Sequence, residues 1–135
     1  MGLAKAAQIL SAFELARRHL LKDTVKIAGK QQEYFVCISL NGANEVIEKR
    51  VVTIGLPDKS PVHPREVFVD VITDRAAAVI FAHNHPSGEL QPSAADLRMH
   101  EQLTEAGKIL GLQVLDHVIV TRKGYYSFQE AGLIR

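Results

Sequence analysis

The chain carries a single cysteine, Cys37, so no internal disulfide framework holds it together, and such sparse thiol usage fits a reducing compartment. It has no apolar run approaching the roughly 20 residues that cross a bilayer, and a membrane partner is not expected. The N-terminus lacks the basic-then-apolar pattern of a signal peptide, which makes the cytoplasm the expected location. Internal repeats and low-complexity linkers are also missing. Charge of either sign is not in excess: a formal net charge of +1 gives no global electrostatic reason for nucleic-acid affinity. What is present is ordinary for a globular chain, with 47% hydrophobic and 23% charged residues. Its 135 residues suffice for one domain with one sizeable core and leave no room for a second.

From Leu3 to Leu21 nearly every residue is a good helix former, and Leu3, Ala7, Leu10, Phe13, Leu20 and Leu21 recur at near-helical spacing. "TVKIAG" is a candidate short strand. "EYFVCISL", β-branched and aromatic, is a strand ended by the turn signal "NGAN", and "EVIEKRVVTIG" pairs back on it as a hairpin. The polar "LPDKSPV" reads as a loop. "HPREVFVDVITDRAA" reads as a helix over 63–77, with Pro64 in its first turn and His63 as its N-cap. "AAVIFAHNH" is a buried strand with a polar end. After Ser93, "AADLRMHEQLTEAGKILG" is a helix closed by Gly111, and "LQVLDHVIVTRKGYYSF" supplies a strand, a Lys-Gly turn and an edge strand. Helices alternating with strands point to an α/β sandwich on a mixed sheet: the early hairpin is antiparallel, and the helix-linked crossover can be parallel.

Chemistry concentrates in "FAHNHPSGELQPSAAD", residues 81–96. On an extended strand residues two apart face the same side, so His83 and His85 can converge, and a helix starting near Ser93 can bring Asp96 back to them. Two imidazoles and one carboxylate leave a tetrahedral zinc ion one position for water, the arrangement of a catalytic rather than a structural site. Each piece has a plainer explanation: Ser93 to Asp96 also spells a capping box, and an isolated H-x-H can be polar residues at a strand end. The pieces together, with Pro86, Gly88 and Pro92 shaping the loop between them, favour the metal.

A metal-activated water also needs a proton acceptor, for which Glu33, Glu66 and Glu89 are the candidates. Glu66 suits the N-terminal dipole of the helix it opens, and Glu89 sits on a loop too loosely held for a general base. Glu33 is a charge opening an otherwise apolar strand, where a rigid sheet can hold it beside His83 and His85. It is the expected acid/base, with Glu66 as the alternative.

The segments "AHNHPSG", "PSAAD", "VHPREVF" and "VLDHVIV" resemble the bacterial RadC proteins, within the JAB1/MPN/Mov34 metalloenzymes that carry the JAMM motif. The resemblance runs from about Glu33 to the C-terminus. It implies a cytidine-deaminase-like fold, a three-layer α/β/α sandwich with a mixed sheet. It further implies a zinc ion held by His83, His85 and Asp96, an oxyanion contact from Ser93, and isopeptidase-type hydrolysis of a peptide or protein substrate. The family's glutamate comes from the strand after the first helix, in agreement with Glu33. "GLAKAAQILSAFELARR" resembles the tail of the helix-hairpin-helix segment that RadC proteins usually carry. Residues 1–22 are therefore expected to be that tail and 23–135 the JAB/MPN domain. DNA contact, suggested by the family's repair association, would run through the part of that segment beyond this tail. A homodimer is among the assemblies left open.

The remaining reactive side chains have structural readings. His117, inside an apolar strand, reads as a hydrogen-bonded core histidine, with support of the metal site by it and Asp116 as the alternative. His19 and His100 fall among charged neighbours on helices and are expected to face solvent. Cys37 reads as a small buried hydrophobe. Two other function classes compete. A zinc nucleobase deaminase would need H-x-E and P-C-x-x-C, which one cysteine cannot supply. A DNA-repair-associated or protein-interaction module would use the metal only to stiffen the fold, without turnover.

Overall fold

The computed structural model describes residues 32–55 and 62–134. The helix expected over 3–21, the strand at 24–29, the boundary at residue 22 and nearly all of the 56–62 loop lie outside the described residues. In chain order the elements are β1 (Glu33–Leu40), β2 (Val46–Gly55), α1 (Pro64–Thr73), β3 (Ala78–Asn84), α2 (Ala94–Leu110), β4 (Gln113–Thr121) and β5 (Gly124–Ser127). The strands form one five-stranded sheet in the order β2-β1-β3-β4-β5. Strands β3 and β4, joined through α2, are parallel, and every other pair is antiparallel. The α/β class and the mixed sheet are as expected. No described helix is long and apolar enough to cross a membrane.

Local chemistry explains the turns and ends. In the hairpin turn, Asn41 Oδ1 accepts the Ala43 and Glu45 amides, both at 2.9 Å, and Asn44 takes the left-handed φ of 60° that asparagine tolerates. His63 caps α1 by accepting the Arg65 amide on Nδ1 at 3.0 Å. That helix stops at Thr73, four residues short of the expected end at residue 77. Arg75 turns left-handed (φ 56°), its amide bonds to Ile72 and that of Ala76 to Val71, closing the last turn in Schellman fashion without a glycine. The capping aspartate, Asp74, is held by a two-pronged contact with Arg50 of β2.

Both described helices lie on one face of the sheet. There Val67, Phe68 and Val71 of α1 and Met99 and Leu103 of α2 pack on Phe35, Cys37, Val79, Phe81 and Val114. Burying side chains of this size contributes about 1.5–3 kcal/mol apiece. Cys37 belongs to this packing, and burial pushes its thiol up to about 12, where it is inert as a nucleophile. The opposite face buries a second cluster that includes Ile38, Leu40, Ile80, Ala82, Val118 and Val120. The described residues thus supply two layers of the expected sandwich.

Where α2 turns into β4 the backbone approaches itself closely. A Cβ built on Gly107 would sit 2.8 Å from the carbonyl oxygen of Leu112, the residue whose amide closes the helix on Gly107. Gly107→Ala is therefore expected to destabilise the fold by about 1–3 kcal/mol in urea denaturation, the overpacking range. This reverses the stabilisation of about 1 kcal/mol that Ala normally brings to a helix interior. A stabilised variant would show that the close approach can relax.

Candidate metal centre

The register of three strands and one helix start assembles the site. Phe35 pairs with His83 across β1 and β3, so the beginning of β1 lies beside the end of β3. Residues 33, 35 and 37 alternate to the helix face with Phe81 and His83, and Glu33 is delivered to the same side as the histidines. Asn84 secures this edge: its Oδ1 accepts the Tyr34 amide at 2.6 Å and its Nδ2 donates to the Gln32 carbonyl at 3.0 Å, bracketing Glu33. Asn84 is fully buried and its role is a backbone clamp.

Asp96 arrives through the capping box of α2. Ser93 Oγ accepts the Asp96 amide at 3.0 Å, while Asp96 Oδ2 accepts the Ser93 amide at 2.9 Å. The capping box and the convergence on the histidines are thus simultaneous. The bond to Asp96 leaves the Ser93 hydroxyl hydrogen uncommitted, on an exposed residue at the rim.

Glu33, His83, His85 and Asp96 each offer an atom within 4.8 Å of all the others, a group that could hold a metal ion. Within it, His83 Nε2 lies 3.0 Å from His85 Nε2 and 3.4 Å from Asp96 Oδ1, and His85 Nε2 lies 2.9 Å from Asp96 Oδ2. Donor atoms about 2.0–2.1 Å from a tetrahedral zinc ion sit about 3.3 Å apart, so these three have the spacing of a shared coordination sphere. Glu33 Oε1 stands back at 3.9 Å from His83 Nε2. The donor set fits the metal chemically as well. His85 Nδ1 donates to the Glu89 carbonyl at 2.7 Å and His83 Nδ1 faces His117 at 2.8 Å, so each ring turns Nε2 inward.

The electrostatics agree. Burial by itself would raise the Asp96 pKa, but the facing imidazoles of His83 and His85 pull it well below the usual carboxylate range. Burial works against a charge on His85, yet Asp96 and the Glu89 carbonyl outweigh it and raise its pKa. Burial raises Glu33, with His83 pulling the other way.

The other sequence candidates fall elsewhere. Glu66 is exposed in the first turn of α1, outside the group. Glu89 contributes its backbone carbonyl to His85, while its carboxylate accepts the Gln91 amide at 3.1 Å. Asp116 is buried and braces the C-terminal end, accepting from Ser127 Oγ at 2.7 Å and the Gln129 amide at 3.0 Å. His100 departs from expectation: it is 7% exposed, on the buried stripe of α2 with Asp96, Met99, Leu103 and Gly107. The spacing of four from Asp96 was the signal, masked by the charges of Arg98 and Glu101.

Comparison with known proteins gives one consistent result. The family model described as RadC-like JAB domain matches residues 11–133. A UPF0758 protein of Methanospirillum hungatei is 46% identical over 99% of this chain and 68% of its own length. UPF0758 proteins of Bacillus licheniformis and Bacillus mycoides are 42% and 39% identical, each over 99% of this chain and 67% of theirs.

If the converging trio binds the ion, elemental analysis of purified protein should find about one metal per chain, lost when His83, His85 and Asp96 are all changed to Ala. Metal at a hundred times its Kd should add about 2.7 kcal/mol to stability, and a chelator should remove that increment without abolishing cooperative unfolding. Metal content unchanged in the triple variant would contradict the assignment.

Proposed function

The chain belongs to the family of RadC-like JAB domains, and from that premise and the geometry of its site we propose that it is a zinc-dependent hydrolase cleaving a peptide or isopeptide bond. The observation that carries the reading is the position of Glu33. Its carboxylate reaches the trio and yet stands outside their close spacing, as befits a proton carrier and not a fourth ligand. His83 and His85 through Nε2, with the Asp96 carboxylate, are the groups that would hold the ion. Bound there, zinc supplies Lewis acidity, bringing the pKa of water near 7 and polarising a carbonyl.

The remaining work falls to the chain's own side chains. Glu33 takes the proton of the attacking water on Oε1 and returns it to the departing amine, so that one carboxylate serves as base and then as acid. Its half-buried setting raises its proton affinity, which favours uptake of the proton from the water. The Ser93 hydroxyl, with its hydrogen uncommitted, donates to the oxygen on which negative charge develops. The bracket formed by Asn84 keeps Glu33 at the end of β1 while the substrate enters.

Screening peptide and isopeptide-linked substrate libraries, with chelator controls, tests the reading. Glu33→Gln should retain metal and fold while losing hydrolysis by about 10²–10⁴, the range for a general acid/base. Glu66→Gln should keep most of the activity, and the reverse pattern would move the role to Glu66. Ser93→Ala should lower turnover by about 10²–10³ and stability by about 1 kcal/mol. A destabilised but fully active Ser93→Ala would leave that residue with only its capping role.

A further inference from the structure

Behind His83 lies a row of polar groups that the proposed chemistry does not use. His83 Nδ1 is 2.8 Å from His117 Nε2, His117 Nδ1 is 3.2 Å from His100 Nδ1, and His100 Nε2 is 3.4 Å from Thr104 Oγ1. The row crosses from β3 through β4 to α2. A β-bulge makes it possible: Val79 pairs with Val114 but Phe81 with His117, so β4 spends one more residue than β3 over this stretch. The extra residue puts His117 on the same face as Val114, beside Phe81 and below His83. The ring of His117 is enclosed by Phe35, Phe81 and Phe128, the last stacked at 4.6 Å.

Such surroundings disfavour charge. His117 is wholly buried among phenylalanine rings and His100 nearly so, leaving no water to solvate a charge on either ring. Each neutral ring has one N–H and one lone pair, so the row has only two self-consistent arrangements, with every donor pointing away from the metal site or every donor pointing toward it. Thr104 breaks the tie. Its hydroxyl lies 2.8 Å from the backbone carbonyl of His100, which can only accept. The hydroxyl hydrogen is spent there, and toward His100 Nε2 the Thr104 oxygen must accept.

We propose that Thr104, His100 and His117 are positioning residues whose hydrogen bonds set the tautomer of His83, leaving its Nε2 lone pair free and aimed at the point shared with His85 and Asp96. His100 donates from Nε2 to Thr104, His117 from Nδ1 to His100, and His83 from Nδ1 to His117. In the opposite arrangement His83 would carry its hydrogen on Nε2, blocking the site. The function of the row rests on the reading of His83 as a metal ligand, whereas its polarity is a property of the metal-free protein and is tested there.

The experiment is long-range proton–nitrogen correlation NMR on the whole chain with 15N-labelled histidine, at neutral pH, before and after addition of zinc. In the zinc-free protein His83 and His117 are expected as Nδ1–H tautomers and His100 as Nε2–H. Thr104→Val should move His100, His117 and His83 toward the opposite tautomers and weaken zinc binding in chelator competition by about 10–100-fold, the usual effect of losing a ligand's supporting partner. Thr104→Ser should restore both. A wild-type His83 protonated on Nε2 overturns the proposal without recourse to any variant, as do unchanged tautomers in a folded Thr104→Val. If zinc leaves the His83 Nε2 resonance unmoved, the metal assignment fails, and the tautomers still decide the polarity of the row.

Discussion

Two imidazole nitrogens 3.0 Å apart, each facing one carboxylate, are an arrangement that a shared cation would satisfy. Lone pairs pointed at one another repel, and burial removes the water that would screen them. A proton can relieve one such contact, whereas a metal ion relieves all three together. The convergence of His83, His85 and Asp96 is the constraint around which this end of the molecule is arranged. The β1/β3 register supplies Glu33, the Asn84 bracket holds the strand edge that carries it, and the Glu89 carbonyl turns His85.

Asp96 couples that constraint to folding. The carboxylate that faces both histidines also completes the capping box of α2, and α2 delivers Met99 and Leu103 to the core. Fold and site therefore share a residue, and a change at Asp96 removes a helix cap as well as a charge. Under the proposed chemistry Ser93 would have the same double character, its oxygen committed to the cap and its hydrogen offered to a reacting oxygen. The two duties are separable because one uses the lone pair and the other the proton.

The parts of the fold written in side-chain pattern were legible. β1 coincides with "EYFVCISL", α2 runs from its Ser93 cap to Gly111, and H-x-H followed by S-x-x-D brings its residues together in space because strand and helix periodicities are local properties. Features that depend on backbone atoms or on distant partners were not. No residue type announces that the Glu89 carbonyl would orient His85. α1 ends early on Arg75, which gives none of the signal that glycine would, and on an Asp74 contact with Arg50 in another element. The bulge that turns His117 under His83 exists only as a difference in count between β3 and β4. His100 was missed because charged neighbours concealed a buried stripe.

X-ray absorption at the zinc edge of the metal-loaded protein examines the central point most directly. Two imidazole scatterers and oxygen donors, all near about 2.0–2.1 Å, are expected, with the imidazole signal unchanged in Glu33→Gln and lost in the combined His83→Ala, His85→Ala variant. A shell of oxygens alone, or an imidazole signal that survives the double variant, would contradict a metal held by the converging histidines.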